Sequence, residues 1–578
     1  MATTSWLYEL ARAPVEHISK AGASDYNGSF LPIDTEWIVS NLPSVPDFSE
    51  EIDQLKNTTL TFLNETYVEI EERFQLNDRY SQVEHQVSEL SCHVGLSHVP
   101  PTVLLQSFLC GVFCLVCLVV VGIKIYRRRR HQRLYGNNAF PPFARAGAWK
   151  TARLMNSSKL PWFFKECAES AKSSVFRIRV PFLKAPMFVA VGDLNAAKEI
   201  LQDPTTLKSE ALNVSIAAVA GGPNIFTSEG PQWKNSRKAV SPAFMKKYLD
   251  RMHQICKIET EEWINDKLKP CVDKGKDFDI GKELVLLTLS ILCHAAFEYK
   301  IKPKEGEAVV QELNIVTRDC ALCNSSSLQS NLGFFLPSVR RSEKSRKRIQ
   351  DFAKKMLQAY RKNNSKSDAA LEETIIGCIA RSTKYEDDSR RIADIVMFLL
   401  SGVDNTAYSL AWTLIELAKH PEEAANLKQA LNGKDDFRAQ EMLKDVLREG
   451  MRLCPPVPGI GIRTLGRDFY LEDKSMVIPK GSQVFFPSFV LTRFDVEDAE
   501  VFRPSRWREH PDKSFLLFST GRRNCIGQSL ALAEITWVLS RLCAKYDFEV
   551  TEDGTAEFCG TLKCVGTRLI ATPASKPE

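Results

Sequence analysis

The sequence predicts a mainly α protein with a small β-sheet region, preceded by one transmembrane helix and an N-terminal tail. Three observations predict it. Val103 to Ile123 is an uncharged apolar run; helical spacing fills 250–420, with short β-like runs on either side; and a glycine-flanked loop, Phe518 to Gly527, leads into the apolar, helix-favouring Gln528 to Leu542. At 578 residues the chain exceeds a usual single core, so one large domain with accessory segments is expected.

Residues 1–101 form the tail. They lack a signal-peptide core, and residues 1–100 hold 5 Lys+Arg against 16 Asp+Glu, so the rest of the chain carries the basic excess behind the net charge of +5. That split suits an acidic lumenal tail on a body that meets acidic redox partners or anionic lipid, and no nucleic-acid partner is expected. The sixteen cysteines lack the dense, even spacing of a small secreted scaffold, which excludes a disulfide framework and points to a reducing compartment. Helical spacing recurs in Glu51 to Leu63 and Val68 to Leu76, and Asn27, Asn57 and Asn64 open N-glycosylation triplets.

Residues 102–123 are the transmembrane helix: the 21 residues from Val103 to Ile123 would span roughly 31 Å, the thickness of a bilayer core. Lys124, Arg127 to Arg130 and Arg133 follow at once, which places everything after residue 124 in the cytosol. Residues 124–150, basic and then rich in Asn and Pro, read as a linker. The body is 151–578. Val175 to Val180 and Met187 to Val191 read as strands, Asp193 caps a helix through Leu201, and Pro270, Pro303 and Pro337 read as helix breaks. Phe469 to Leu471, Met476 to Ile478 and Gln483 to Phe486 read as further strands.

Arg390 to His420 reads as one long helix ended by Pro421 and interrupted at Ser401-Gly402-Val403-Asp404-Asn405-Thr406. Such a break in a buried helix loosens its hydrogen-bond ladder and admits water. Cys525 sits just ahead of Gly527 and a helix start, where unpaired N–H groups and the positive dipole end favour a thiolate, making it an iron ligand candidate. Gly521 and Gly527 allow turns and close approach to a flat cofactor, Phe518 covers the sulfur, and Arg523 can pair with a carboxylate of that cofactor.

The pattern Phe518-x-x-Gly521-x-Arg523-x-Cys525-x-Gly527 resembles the signature of the cytochrome P450 family. The resemblance covers roughly 150–570 and includes motifs in the family's order: Trp233-x-x-x-Arg237, the helix through Asp404, Glu449-x-x-Arg452 before Pro455-Pro456, and Pro504-Ser505-Arg506-Trp507. It implies haem b ligated by Cys525, with propionates met by Trp233, Arg237, Arg463 and Arg523. It further implies that Glu449, Arg452 and Arg506 form a buried ionic triad and that Asp404, with Asn405 or Thr406, delivers protons. One departure stands out, because Asn405 occupies the position after the acid that the family usually gives to threonine, and an amide has no hydroxyl with which to pass a proton. The resemblance implies a monooxygenase of the endoplasmic reticulum membrane. It would hydroxylate or epoxidise a small apolar substrate with dioxygen and electrons from an NADPH-dependent flavin reductase, with cytochrome b5 as a second donor. Asn405 keeps a haem-thiolate isomerase or lyase acting on lipid hydroperoxides as an alternative. The acidic tail keeps a second, a haem-containing membrane interaction protein without activity.

Overall fold

The computed structural model describes residues 122–123, 125–126 and 129–574, apart from 155–156, 181–184, 324–336, 365–373, 434–435, 472–474 and 510–515. The acidic tail and nearly all of the apolar run 102–123 lie outside the described residues. The chain divides into a unit of residues 1–136, in which 129–135 are helical, and a unit of residues 137–578, to which all that follows belongs.

Among the described residues this second unit has twelve short strands: β1 Val175–Ile178, β2 Phe188–Val191, β3 Leu207–Lys208, β4 Phe278–Asp279, β5 Gly459–Thr464, β6 Phe469–Leu471, β7 Met476–Ile478, β8 Gln483–Pro487, β9 Tyr546–Glu552, β10 Thr555–Cys559, β11 Thr561–Val565 and β12 Arg568–Pro573. Five of them form one sheet in the order β1-β2-β8-β5-β3, antiparallel except for the parallel pair β2 and β8. β4-β12-β9 form a second sheet, and β6-β7 and β10-β11 are hairpins. The β1 and β2 strands are buried because Val175, Phe176, Val189, Ala190 and Val191 pack beneath helices.

Eight helices position the site: α1 Leu194–Gln202, α2 Gly230–Val240, α3 Lys246–Trp263, α4 Ile280–Phe297, α5 Pro303–Cys323, α6 Asp388–Lys419, α7 Asp436–Leu453 and α8 Gln528–Lys545. The side chain of Asp193 caps α1 by accepting the N–H groups of Asn195 and Ala196. Among the described residues, α4 is the one helix long and apolar enough to cross a membrane, and it is mostly buried as the centre of the helical core.

Two sequence expectations change. Pro270 does not break a helix. A π turn at Ile264–Leu268 continues α3 into Lys269–Asp273, and Pro270 follows that wider turn, where the hydrogen-bond ladder is already shifted. The expected interruption at 401–406 is absent too, since α6 runs unbroken over 32 residues. The polar side chains there are absorbed by the helix itself. Ser401 Oγ donates to Met397 O, Asn405 Nδ2 to Ser401 O, Ser409 Oγ to Asn405 O and Thr413 Oγ1 to Ser409 O, at 2.7–2.8 Å.

Candidate functional site

The loop before α8 is a tight, self-bonded turn. Cys525 N donates to Phe518 O at 2.9 Å and Asn524 N to Gly521 O at 3.1 Å. Gly521 has φ +71°, and a Cβ there would lie 2.7 Å from Leu201 O at the end of α1, so this position requires glycine. Gly527 is different: its φ is −85°, which any residue adopts, and a Cβ would meet the Cys525 sulfur only at 4.0 Å. What residue 527 supplies is a backbone N–H, which with that of Gln528 favours the thiolate form of the sulfur. Phe518 is partly buried against the helical core. Among the described cysteines Cys525 alone is exposed. Its sulfur is open on one side and packed by the loop on the other. That packing pushes the thiol above its ordinary value, against the pull of the two N–H groups and Arg237.

Arg237, on α2, clamps this loop: Nη1 donates to Asn524 O and Nη2 to Asn524 Oδ1, both at 3.0 Å. Trp233, one turn earlier, lies under the Arg523 guanidinium at 4.3 Å from its ring centre. Arg523 also donates to Ser228 O and pairs with Glu229 at 2.8 Å. Beside it Lys208 of β3 and Arg463 of β5 are register partners, both less than a tenth exposed. Lys208 Nζ donates to Phe226 O at 2.5 Å and its N–H to Glu229 Oε1 at 3.1 Å. Burial, Arg463 and Arg523 hold the Lys208 ammonium well below the usual lysine range, and burial with Arg523 brings Arg463 down to about 10. Among the described residues, Glu229 is the carboxylate that faces these cations. Buried positive charge therefore exceeds its protein counter-charge. A group carrying carboxylates beside an open thiol fits such a place, and the haem propionates are that kind of group.

The loop at 224–229 that holds these cations is tied to α6. Asp394, fully buried, accepts Ile225 N and the Tyr385 hydroxyl at 2.6 Å each, and burial raises its carboxyl above the ordinary value. Further along α6, Asp404 and Thr406 are each 5% exposed, so neither meets bulk water. Lys563 of β11 lies 2.7 Å from Asp404 Oδ2, an ion pair between two nearly sealed side chains. Asn405 is held at both ends, donating to Ser401 O at 2.8 Å and accepting from the Thr561 hydroxyl at 3.0 Å.

Glu449, Arg452 and Arg506 meet in one buried cluster. Arg452 donates through Nε and Nη2, and Arg506 through Nε, each at 2.9 Å to the Glu449 carboxylate. Arg503 N and Trp507 Nε1 also donate to that carboxylate, at 2.9 and 3.2 Å. The remaining guanidinium N–H groups are spent on the carbonyls of Thr492, Glu497, Asp498, Ala499 and Val501. Lys208, Glu229, Asn524, Asp394, Thr561 and Lys563 escaped sequence reasoning. Asn524 sits at a free position inside the Cys525 pattern. The others carry no local signal, since each finds its partner on a distant element.

A family model described as Cytochrome P450 matches residues 152–566. Among curated proteins, probable cytochrome P450 4e1 of Drosophila melanogaster is 27% identical over 365 residues, covering 56% of this chain and 67% of that protein. Human cytochrome P450 4F8 is 26% identical, over 55% of this chain and 68% of its own. Cytochrome P450 52A12 of Debaryomyces hansenii is 27% identical, over 56% and 69%. A solved cytochrome P450 from Thermus thermophilus has the same fold, with a TM-score of 0.56 at 18% identity over 72% of this chain and 99% of that one. With the family model spanning most of its length and the same fold in solved relatives, this chain belongs to the cytochrome P450 family.

Proposed function

We propose that Cys525 ligates haem iron in a membrane-anchored monooxygenase that hydroxylates or epoxidises an apolar organic substrate. Membership of the family makes the chain a haem-thiolate monooxygenase, an oxidoreductase that depends on a redox partner. The observation that carries the residue assignment is the open Cys525 sulfur, backed by two backbone N–H groups and lying near buried cations that outnumber their counter-charges. When bound, the haem supplies dioxygen activation, one oxygen atom entering the substrate and the other leaving as water with external electrons and protons.

The protein's own groups supply the rest. The Gly527 and Gln528 N–H groups favour the thiolate, and Arg237 fixes Asn524 beside it. Lys208, Arg463 and Arg523, the last stacked on Trp233, receive the propionates. Phe518 shields the thiolate. Asp404, its charge met by Lys563, takes and hands on a proton, with Thr406 supplying a hydroxyl on the same helix. Asn405 serves as a fixed dipole, because its amide is already held by Ser401 and Thr561. Glu449, Arg452 and Arg506 brace the proximal side. Electrons come from an NADPH-dependent flavin reductase, with cytochrome b5 as a second donor. The segments are a lumenal tail at 1–101, a single-pass anchor at 102–123 in the endoplasmic reticulum, a linker at 124–150 and a cytosolic catalytic domain at 151–578.

The test incubates the purified full chain with a panel of apolar substrates, labelled dioxygen and an electron source. Electron-dependent product carrying the label is expected. Unlabelled product formed from a lipid hydroperoxide without electrons would overturn the reading in favour of an isomerase or lyase, and haem binding without turnover of any substrate would favour the inactive interaction protein. Cys525→Ser loses the thiolate-type spectrum of the reduced, carbon monoxide-bound protein.

A further inference from the structure

The peptide groups of the 224–229 loop are divided between two sides. Its carbonyls face the buried cations: Ile225 O accepts from Arg523 Nη1 at 3.5 Å, Ser228 O from Arg523 Nη2, and Phe226 O from Lys208 Nζ at 2.5 Å. The N–H groups of Phe226 and Thr227 stay inside the loop, donating to Asn224 Oδ1 at 3.0 and 3.2 Å, and that of Ser228 donates to Asn224 O at 2.9 Å. The Ile225 N–H leaves the loop and donates to Asp394 Oδ1 on α6 at 2.6 Å. Ile225 therefore holds α6 on its N–H and Arg523 on its carbonyl.

This junction is sealed, with Asp394 0% exposed and Tyr385 6%. The second Asp394 oxygen accepts the Tyr385 hydroxyl at 2.6 Å, so the carboxylate is held at both ends and cannot swing. One turn earlier on α6, Arg390 donates to the hydroxyls of Ser228 and of Ser236 on α2, at 3.1 and 3.4 Å. The first turns of α6 thus grip the loop at 225 and 228. The bonds of Asn224 fix the loop's shape but leave its place undetermined, since a capped loop can still shift as a unit. An ammonium and a guanidinium bonded to its carbonyls shift with it, so the aim of Lys208 and Arg523 depends on where Ile225 is pinned.

We propose that Asp394 is a positioning residue for the cofactor's carboxylates. Held by Tyr385, it accepts the Ile225 N–H and so fixes the loop whose carbonyls aim Lys208 and Arg523. The inference rests on the proposed propionate site at these cations.

The experiment uses the full-length haem protein in detergent and reads two quantities, the propionate bending band in its resonance Raman spectrum and the rate of haem transfer to an acceptor protein. The thiolate-type spectrum reports intact iron ligation. Asp394→Leu keeps the branching of the side chain but leaves the Ile225 N–H without an acceptor; it is expected to shift the band and to speed transfer roughly tenfold. Asp394→Asn keeps an acceptor for that N–H and is expected to retain the wild-type band. Val396, buried on the same helix, supplies the control: Val396→Ala lowers the thermal midpoint and should leave the band unmoved, which separates positioning from general loss of stability. An unmoved band in Asp394→Leu overturns the inference, and so does a band that Asp394→Asn or Val396→Ala shifts as far. Should Asp394→Leu not accumulate as folded protein, Tyr385→Phe, which releases the second carboxylate oxygen, decides by the same band. Lys208→Gln separates the two readings. A band that moves in Lys208→Gln but not in Asp394→Leu sinks this inference alone, whereas a band unmoved in both sinks the propionate site with it.

Discussion

Replacing Glu449 by glutamine tests the proximal scaffold without changing its shape. The wild-type carboxylate is 0% exposed and accepts three N–H groups from two guanidinium groups, with Arg452 itself 0% exposed and Arg506 6%. Glutamine removes the charge facing both arginines and turns one acceptor oxygen into a donor aimed at N–H groups. Removing one partner of a buried ion pair costs about 3–5 kcal/mol, because the stranded charges cannot reach water. That is a large share of the roughly 5–15 kcal/mol by which a domain is stable. The assay compares thermal midpoint and haem content of the full chain in detergent. The exposed pair of Lys300 and Glu262, 58% and 47% exposed at 2.9 Å, is the control, and Lys300→Gln should cost at most about 1 kcal/mol. Glu449→Gln is expected to lower the midpoint sharply and to recover little haem protein. A Glu449→Gln protein as stable as Lys300→Gln would refute the reasoning, since it would mean that the buried cluster carries no net stabilisation.

Gly521→Ala forces a Cβ to within 2.7 Å of the Leu201 carbonyl at a left-handed φ, a cost of about 1–2 kcal/mol from the backbone alone; weakened haem retention in Gly521→Ala, measured by transfer to a haem acceptor, checks it, and unchanged retention counts against the loop geometry. Lys208→Gln removes one buried cation of the proposed propionate site and should speed haem loss about ten- to a hundredfold, from the roughly 1.5–3 kcal/mol of a charge-assisted hydrogen bond. Glu534 on α8 is buried, and burial raises its carboxyl from 4.5 to about 8. The folded state then binds a proton that the unfolded state releases, so this group lowers stability as pH rises from about 4.5 towards 8, by up to about 1.4 kcal/mol per pH unit, and has no further effect above 8. Glu534→Gln should therefore gain stability over the wild type progressively through that window, and parallel pH profiles would count against it.

The sequence by itself determined the class of fold and the identity of the reactive residue. The strands at β1, β2, β6 and β7, the Asp193 cap and the end of α6 before Pro421 were legible because alternation, capping and proline act within a few residues. The Cys525 loop was legible for the same reason: its residues share one turn, in which Cys525 N bonds Phe518 O and Asn524 N bonds Gly521 O. The unbroken course of α6 was not legible, because whether Ser401 and Asn405 disturb a helix depends on whether their side chains bond back to it. Only the tertiary structure decided what surrounds the reactive residue. Lys208 and Arg463 come together because β3 and β5 pair, and Asp394 reaches across 169 residues to Ile225. Lys563 finds Asp404 because a C-terminal strand lies on α6. A lysine in a strand looks the same in sequence whether it faces water or a buried carboxylate. Chain packing alone sets the desolvation and the partner that give it a role.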